Sequence, residues 1–166
     1  MKSIQVRTAD GVRLVGMHIT ADRDERDLAI VLAHGFTVTF ARPRVQLVAA
    51  RFARTADVVM VDFRGHGRSE GRTTAGDLEV LDVDATVRWA REAGYRQVAT
   101  VGFSMGGAVV LRHAAQSPST TGLVPVEPVD AVASVSAPSR WFIRETVPMR
   151  RVHWLLETPS GHWFAE

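Results

Sequence analysis

One serine of this sequence lies between glycines at a spacing that favours covalent chemistry. Within residues 101–107, VGFSMGG, Ser104 has Gly102 two residues before it and Gly106 two residues after it. A serine in a very sharp turn needs small neighbours at these positions, and its hydroxyl then projects toward a bound molecule. The chemistry open to such a serine is attack on an acyl carbonyl, through an acyl-enzyme that water releases. The same residues also fit a plainer interpretation, in which Ser104 only caps the following helix.

The elements predicted around Ser104 alternate between strands and helices. Apolar runs predict strands at residues 28–36, 57–63, 97–103 and 129–138, and helical spacing predicts helices at residues 42–54, 75–95 and 105–116. This alternation predicts an α/β fold with a mostly parallel sheet and helices on both faces. Ligands of such sheets bind at the carboxyl ends of the strands, which is where Ser104 lies.

Residues within these segments make the prediction more specific. Residues 4–20 have the alternating pattern of two strands that turn at Asp10 and Gly11, which predicts an N-terminal hairpin. The apolar face of the first helix is predicted to contain Val45, Val48, Ala49 and Phe52, and that of the second Leu78, Leu81, Ala85, Val87 and Trp89, with Gly94 at its end.

Two further loops match a known family in the same order along the chain. Residues 33–36, AHGF, end the first buried strand, and residues 62–69, DFRGHGRS, end the second. Together with the motif at Ser104, these stretches resemble the α/β-hydrolase superfamily, in its esterase, monoglyceride-lipase and serine-aminopeptidase-like branch. The resemblance extends from about Ile4 to Pro138.

The resemblance implies a function and a role for each loop. It implies a serine hydrolase of carboxylic esters or related small acyl substrates that needs neither cofactor nor metal, with Ser104 as the nucleophile. The backbone amides of Phe36 and Met105 would form the oxyanion hole. The residues that would support the site are His34, Gly35, Gly102, Gly106, Asp62, Arg64, Gly65 and His66. In the family the two histidines of this set shape loops and do not act as the base.

A serine nucleophile also needs a histidine base and a carboxylate that orients it. In the family both follow the serine, beyond the strand at residues 129–138, and this sequence stops before either position. We therefore expect a C-terminally incomplete α/β-hydrolase core at residues 1–138, followed at residues 139–166 by the start of a cap or an unrelated tail. The strand at residues 129–138 then becomes an apolar edge strand, which favours self-association or a complementing C-terminal polypeptide.

Other acids and histidines are weak substitutes for the missing pair. Asp130 begins its strand and is expected about 20 Å from Ser104, at the opposite end of the sheet. The tail residues would reach the site only if the tail folded back: these are Glu145, Glu157, His153 and His162. The spacing of its two histidines matches no zinc pattern. His18 and His113 are expected to be structural or exposed. Two interpretations, the lining of a lipid or acyl pocket and, in preference, packing of a cap helix on the body, fit Trp141, Phe142, Trp154, Leu155 and Leu156.

Two functional hypotheses follow from these residues. In the first, the chain belongs to a serine hydrolase that obtains its acid and base from another polypeptide or from its own tail. In the second, it is a catalytically incomplete remnant or a binding module that keeps only the oxyanion pocket.

Composition narrows the class of protein. With 166 residues, 46% hydrophobic and 23% charged, the chain has the composition of one globular domain. Its net charge is only +2 and its basic residues, all arginine except Lys2, are scattered, which argues against nucleic-acid binding. The absence of cysteine excludes a disulfide, a zinc-thiolate site and a thiol nucleophile. No apolar run is long enough to span a membrane, so we expect a cytoplasmic protein.

Overall fold

The computed structural model describes residues 1–21, 27–116 and 126–138, and beyond them the exposed helical positions Val147, Arg150, Arg151 and Trp154. The elements in chain order are β1 (Lys2–Arg7), β2 (Arg13–Ile19), β3 (Leu28–Ala33), α1 (Pro43–Phe52), β4 (Asp57–Val61), α2 (Glu79–Glu92), β5 (Gln97–Phe103), α3 (Met105–Ala115) and β6 (Ala131–Val135). No helix of the described part of the chain is both long and apolar enough to cross a membrane.

The strands form one mixed sheet in the order β1-β2-β4-β3-β5-β6. The four strands from β4 to β6 in this order are parallel, and β1 and β2 are antiparallel to their neighbours. The predicted N-terminal hairpin is confirmed, because Arg7 pairs with Arg13. Its loop is longer than a two-residue turn: the amide of Gly11 donates to the Thr8 carbonyl at 2.9 Å, and Gly11 has a φ of 88°.

Helices cover both faces of the sheet, as the alternation of elements predicts. Successive residues of β3 point to opposite faces because the side-chain period of a strand is two. Val31 lies in one buried cluster with Val83 of α2 and Val109 of α3. Its neighbour Leu32 lies in a second cluster with Ala49 of α1. The predicted face of α1 is confirmed, since Val45, Val48, Ala49 and Phe52 all belong to this second cluster.

The predicted apolar face of α2 is partly wrong. Ala85 and Val87 are buried, but Leu78 precedes the helix and is 41% exposed. The acidic residues Glu79 and Asp82, which the pattern places outside the core, are completely buried. The physical reason is that both carboxylates bind groups of the preceding loop: Glu79 accepts hydrogen bonds from Thr73, Thr74 and Gly76, and Asp82 pairs with Arg64.

Strand β6 lies at one edge of the sheet. Among the described residues it pairs only with β5, and all five of its side chains are exposed. Asp130, just before β6, binds the amide of Val98 with its carboxylate at 2.7 Å. Val98 belongs to the amino-terminal end of β5 and Ser104 follows the carboxyl end, so Asp130 lies at the opposite end of the sheet from Ser104, as expected.

Candidate active site

Ser104 lies between β5 and α3, at the carboxyl end of the parallel strands, with φ 53° and ψ −118°. A positive φ is uncommon outside glycine, and backbone strain of this kind costs about 1–3 kcal/mol. The amide of Ser104 donates to the Val135 carbonyl at 2.9 Å, which ties the turn to β6. The side chain is exposed and makes no capping hydrogen bond to α3, which disfavours the interpretation of Ser104 as a simple helix cap.

The glycines around Ser104 are required by close approach of the backbone. A β-carbon on Gly102 would overlap the carbonyl of Gly106, and one on Gly106 would overlap the carbonyl oxygens of Ala33 and His34. The helix α3 therefore starts in direct contact with the end of β3. Any side chain at these two positions would move Ser104 away from the loop that follows β3.

The backbone amides of Phe36 and Met105 belong to the two segments that meet at Ser104. Met105 is the first residue of α3, where amides have no partner within the helix. Phe36 follows Gly35, and a β-carbon on Gly35 would lie only 3.3 Å from the β-carbon of Ser104. Among the described residues, neither the Phe36 amide nor the Met105 amide has a hydrogen-bond acceptor. Amides left free beside a nucleophile are the donors that an oxyanion hole needs.

His34 is buried behind this loop with both ring nitrogens in use. Its Nε2 accepts a hydrogen bond from the amide of Phe63 at 2.9 Å, so the proton lies on Nδ1, which donates to the Gly35 carbonyl at 2.8 Å. Burial lowers the pKa of His34 to about 4. A neutral imidazole with both nitrogens engaged holds the loops after β3 and β4 together and has no lone pair left for the proton of Ser104.

His66 packs against the same loop. Its Nδ1 donates to the Arg64 carbonyl at 3.0 Å, and its ring contacts the rings of His34 and Phe36 edge-on, with centroids 5.1 and 5.9 Å apart. His66 therefore packs against the Phe36 ring and supports the segment that carries the Phe36 amide.

The carboxylate of Asp62 braces the segment that leads into α1. It accepts a hydrogen bond from the amide of Phe40 at 2.7 Å, and burial raises the pKa of Asp62. The Asp62 carbonyl accepts from the hydroxyl of Ser69 at 2.6 Å, and that hydroxyl accepts from the amide of Val15 at 3.0 Å. Asp62 therefore connects the loop after β4 to the segment before α1 and, through Ser69, to β2.

Arg64 fixes the same loop from its other side. Its guanidinium is buried between Asp82 and Asp10, with closest distances of 2.7 Å to each carboxylate. The Arg64 amide also donates to Asp82 at 2.8 Å, and the next residue, Gly65, takes a φ of 69°. Asp62 and Arg64 of the DFRGHGRS stretch are thus both engaged in holding the loop.

A cavity of about 280 Å³ opens beside Ser104 on the α1 side of the sheet. Its apolar lining consists mainly of Leu32, Val38, Val45, Val48 and Phe103. Arg44 is the one charged residue of the lining, since His34 is neutral. The spacing of apolar residues predicts Val45 and Val48 on the inner face of α1, but nothing in the local pattern marks Val38 and Arg44 as neighbours of Ser104.

The remaining histidines of the described residues do not bind the hydroxyl of Ser104. His18 lies at the other end of the sheet, 2.8 Å from the Tyr95 hydroxyl. His113 is buried in α3, 3.7 Å from Asp84, and its ring nitrogens have no hydrogen-bond partner among the described residues. The following tail residues lie outside the described residues: Trp141, Phe142, Glu145, His153, Leu155, Leu156, Glu157 and His162.

A strained serine at the carboxyl end of β5, free amides beside it and this strand order together define a protein class. The family model described as the alpha/beta hydrolase fold matches residues 29–158, and the chain belongs to that family.

Solved structures of this fold resemble the chain. An esterase from Pyrococcus furiosus superposes with a TM-score of 0.73 and 25% identity over 98% of this chain and 59% of the esterase. An α/β serine hydrolase without a lid from Xanthomonas campestris gives a TM-score of 0.63 and 21% identity, over 79% of this chain and 68% of that one. The chain thus spans about three fifths of the esterase's length and corresponds to the N-terminal part of the fold.

Proposed function

We propose that Ser104 is the nucleophile of a serine hydrolase that cleaves carboxylic esters through an acyl-enzyme. The observation that carries the proposal is the backbone of Ser104, whose φ of 53° holds an exposed hydroxyl beside an apolar cavity. Such strain persists only where the surrounding structure imposes it, and strained residues cluster at active sites. The 25% identity to the Pyrococcus furiosus esterase supports the same reaction class.

The geometry suggests how the reaction would use these residues. The acyl part of the substrate enters the apolar cavity, and the Ser104 oxygen attacks the ester carbonyl as its proton passes to a base. The amides of Phe36 and Met105 stabilise the oxyanion of the tetrahedral intermediate. The ester C–O bond then breaks, the alcohol leaves with the proton, and water hydrolyses the acyl-enzyme. We place the base and its orienting carboxylate outside the described residues.

One observation favours a second candidate, a chain that binds acyl compounds without turning them over. His34, which lines the same cavity as Ser104, is neutral and has both ring nitrogens engaged. Removing triad residues lowers turnover in serine hydrolases about a millionfold, which leaves only binding and the oxyanion hole. This candidate predicts turnover near the background rate.

Labelling with a fluorescent fluorophosphonate separates the two candidates. Activated serines react rapidly with this probe, so we expect one adduct by intact mass, lost in Ser104→Ala. Ser3→Ala is the matched control, because Ser3 is an exposed serine in β1 and its loss should leave labelling unchanged. A folded wild-type chain that does not react would contradict the hydrolase proposal for this chain and support the binding candidate.

A further inference from the structure

Arg44 stands between two adjoining recesses of the surface. It lines the 280 Å³ cavity that contains Ser104, and it also lines a second recess of about 500 Å³. The two recesses share Val38, Arg44 and Val45, and the second adds Arg42 and Thr37. A molecule that leaves the apolar cavity on this side therefore meets Arg44 first and Arg42 next.

Neither arginine is neutralised by the described part of the protein. Both are exposed, and no described carboxylate forms an ion pair with either. By contrast, carboxylates pair with Arg13, Arg64, Arg88, Arg91, Arg96 and Arg112. The first turn of α1 contains no acidic residue, so the positive end of the helix dipole adds to the charge of the two arginines.

The backbone that carries the arginines is held in place. The Arg42 amide donates to the Thr39 carbonyl at 3.2 Å, and the Gln46 amide donates to the Arg42 carbonyl at 3.0 Å. The side chain of Gln46 also donates to the Phe40 carbonyl at 2.6 Å, and the Phe40 amide is bound by Asp62. Since this segment is fixed before a ligand arrives, ordering it adds little to the cost of binding.

We propose that the protein prefers esters whose acyl chain ends in a carboxylate, with Arg44 as the residue that selects this group. The inference rests on the proposed function, since it assigns the substrate class of the same site. The 280 Å³ cavity has room for a short chain of methylenes between ester and carboxylate. The planar guanidinium of Arg44 can bind a carboxylate through two parallel hydrogen bonds, with Arg42 adding long-range attraction.

The kinetic test compares p-nitrophenyl monoesters of dicarboxylic acids with neutral p-nitrophenyl esters of matched chain length. We expect the charged series to have a kcat/KM higher by about fivefold to tenfold at its best chain length, as for one partly exposed charged contact. Arg44→Gln should lower kcat/KM for the charged series far more than for the neutral series and so remove the preference, and Arg44→Lys should keep part of it. The matched control Arg51→Gln changes an exposed arginine in the last turn of α1 and should leave the preference intact.

A second measurement keeps the substrate class separate from the reaction. Calorimetric titration of Ser104→Ala with a free dicarboxylic acid and with the monocarboxylic acid of the same length reports binding without turnover. Tighter binding of the dicarboxylic acid supports the inference if it is lost in the double variant Ser104→Ala, Arg44→Gln. It should also weaken in 1 M salt, where the Debye length is only about 3 Å. Equal binding of the two acids would overturn it even if neutral esters are hydrolysed, whereas hydrolysis of neither ester would contradict only the proposed function.

Discussion

Histidine and carboxylate side chains lie at both ends of the parallel strands, but within the described part of the chain the two ends use them differently. At the amino-terminal end, Asp57 accepts hydrogen bonds from the Ala21 amide at 2.7 Å and from the Tyr95 hydroxyl. His18 completes this group through a 2.8 Å hydrogen bond with Tyr95. A histidine, an acid and a tyrosine are in contact here, and their polar groups bind one another.

The carboxyl-terminal end uses the same residue types to hold loops. Asp62, Arg64 and His34 are buried and engaged, whereas Ser104 is exposed with strained backbone beside an apolar cavity. A cluster of titratable side chains is therefore a poor indicator of a functional site. An unpaired hydroxyl held at an unfavourable φ next to empty space is a better one.

The largest effect is expected from breaking the brace at the carboxyl-terminal end. Asp82→Ala leaves the buried guanidinium of Arg64 with only Asp10, and breaking a buried pair in this way costs about 3–5 kcal/mol. Urea unfolding followed by circular dichroism measures the loss. Glu70→Ala, which breaks the exposed pair with Arg13, is the control and should cost about 1 kcal/mol or less. Equal losses in the two variants would show that the Arg64 loop is not held as described.

A pH titration tests the neutral state of His34. Burial lowers the pKa of His34 from 6.5 to about 4, so between these values the unfolded chain binds a proton that the folded chain does not. His34 alone should therefore lower the free energy of unfolding by about 3 kcal/mol as the pH drops from 6.5 to 4, against an opposing contribution from Asp82, whose pKa burial raises to about 6. Urea unfolding across this range should show a smaller decrease in His34→Gln. If the variant and the wild type decline equally, His34 is not held neutral.

A smaller effect on stability, with a large effect on reactivity, is expected at Gly106. In Gly106→Ala the new methyl group meets the carbonyl oxygens of Ala33 and His34, which should cost about 1–3 kcal/mol and displace Ser104. Fluorophosphonate labelling should be lost while the chain stays folded. Gly94→Ala is the control: its β-carbon would meet no atom within 4 Å, so the substitution strains the backbone at a φ of 97° without touching Ser104, and it should keep full labelling. Retained labelling in Gly106→Ala would contradict the geometric argument.

The smallest effect is expected at the amino-terminal end of the sheet. Tyr95→Phe removes the hydroxyl that links His18 to Asp57 and should lower the free energy of unfolding by about 1–2 kcal/mol. Labelling of Ser104 should proceed at the wild-type rate. A slower labelling rate at unchanged folding would show instead that this end of the sheet is coupled to Ser104.

The sequence predicts the parts of this fold that depend on local patterns. The strands and the inner face of α1 follow from the spacing of apolar residues, and the turn at Ser104 follows from its two glycines. The buried face of α2 could not be predicted correctly, because Glu79 and Asp82 are buried only through partners in the preceding loop. The cavity was missed for a similar reason, since Val38 and Arg44 meet Ser104 only after β3, α1 and β5 are assembled. The role of Ser104 stays a prediction.

The hydrogen bond from the Ser104 amide to the Val135 carbonyl links the edge strand β6 directly to the turn that carries Ser104. That amide exchanges with deuterium only when the bond opens, so its exchange rate reports how often the end of β6 separates from β5. The strained turn keeps its shape only while this contact lasts. The exchange rate of this one backbone proton thus reports on the alignment of the proposed nucleophile, and a chain that joins the edge of β6 would slow the exchange.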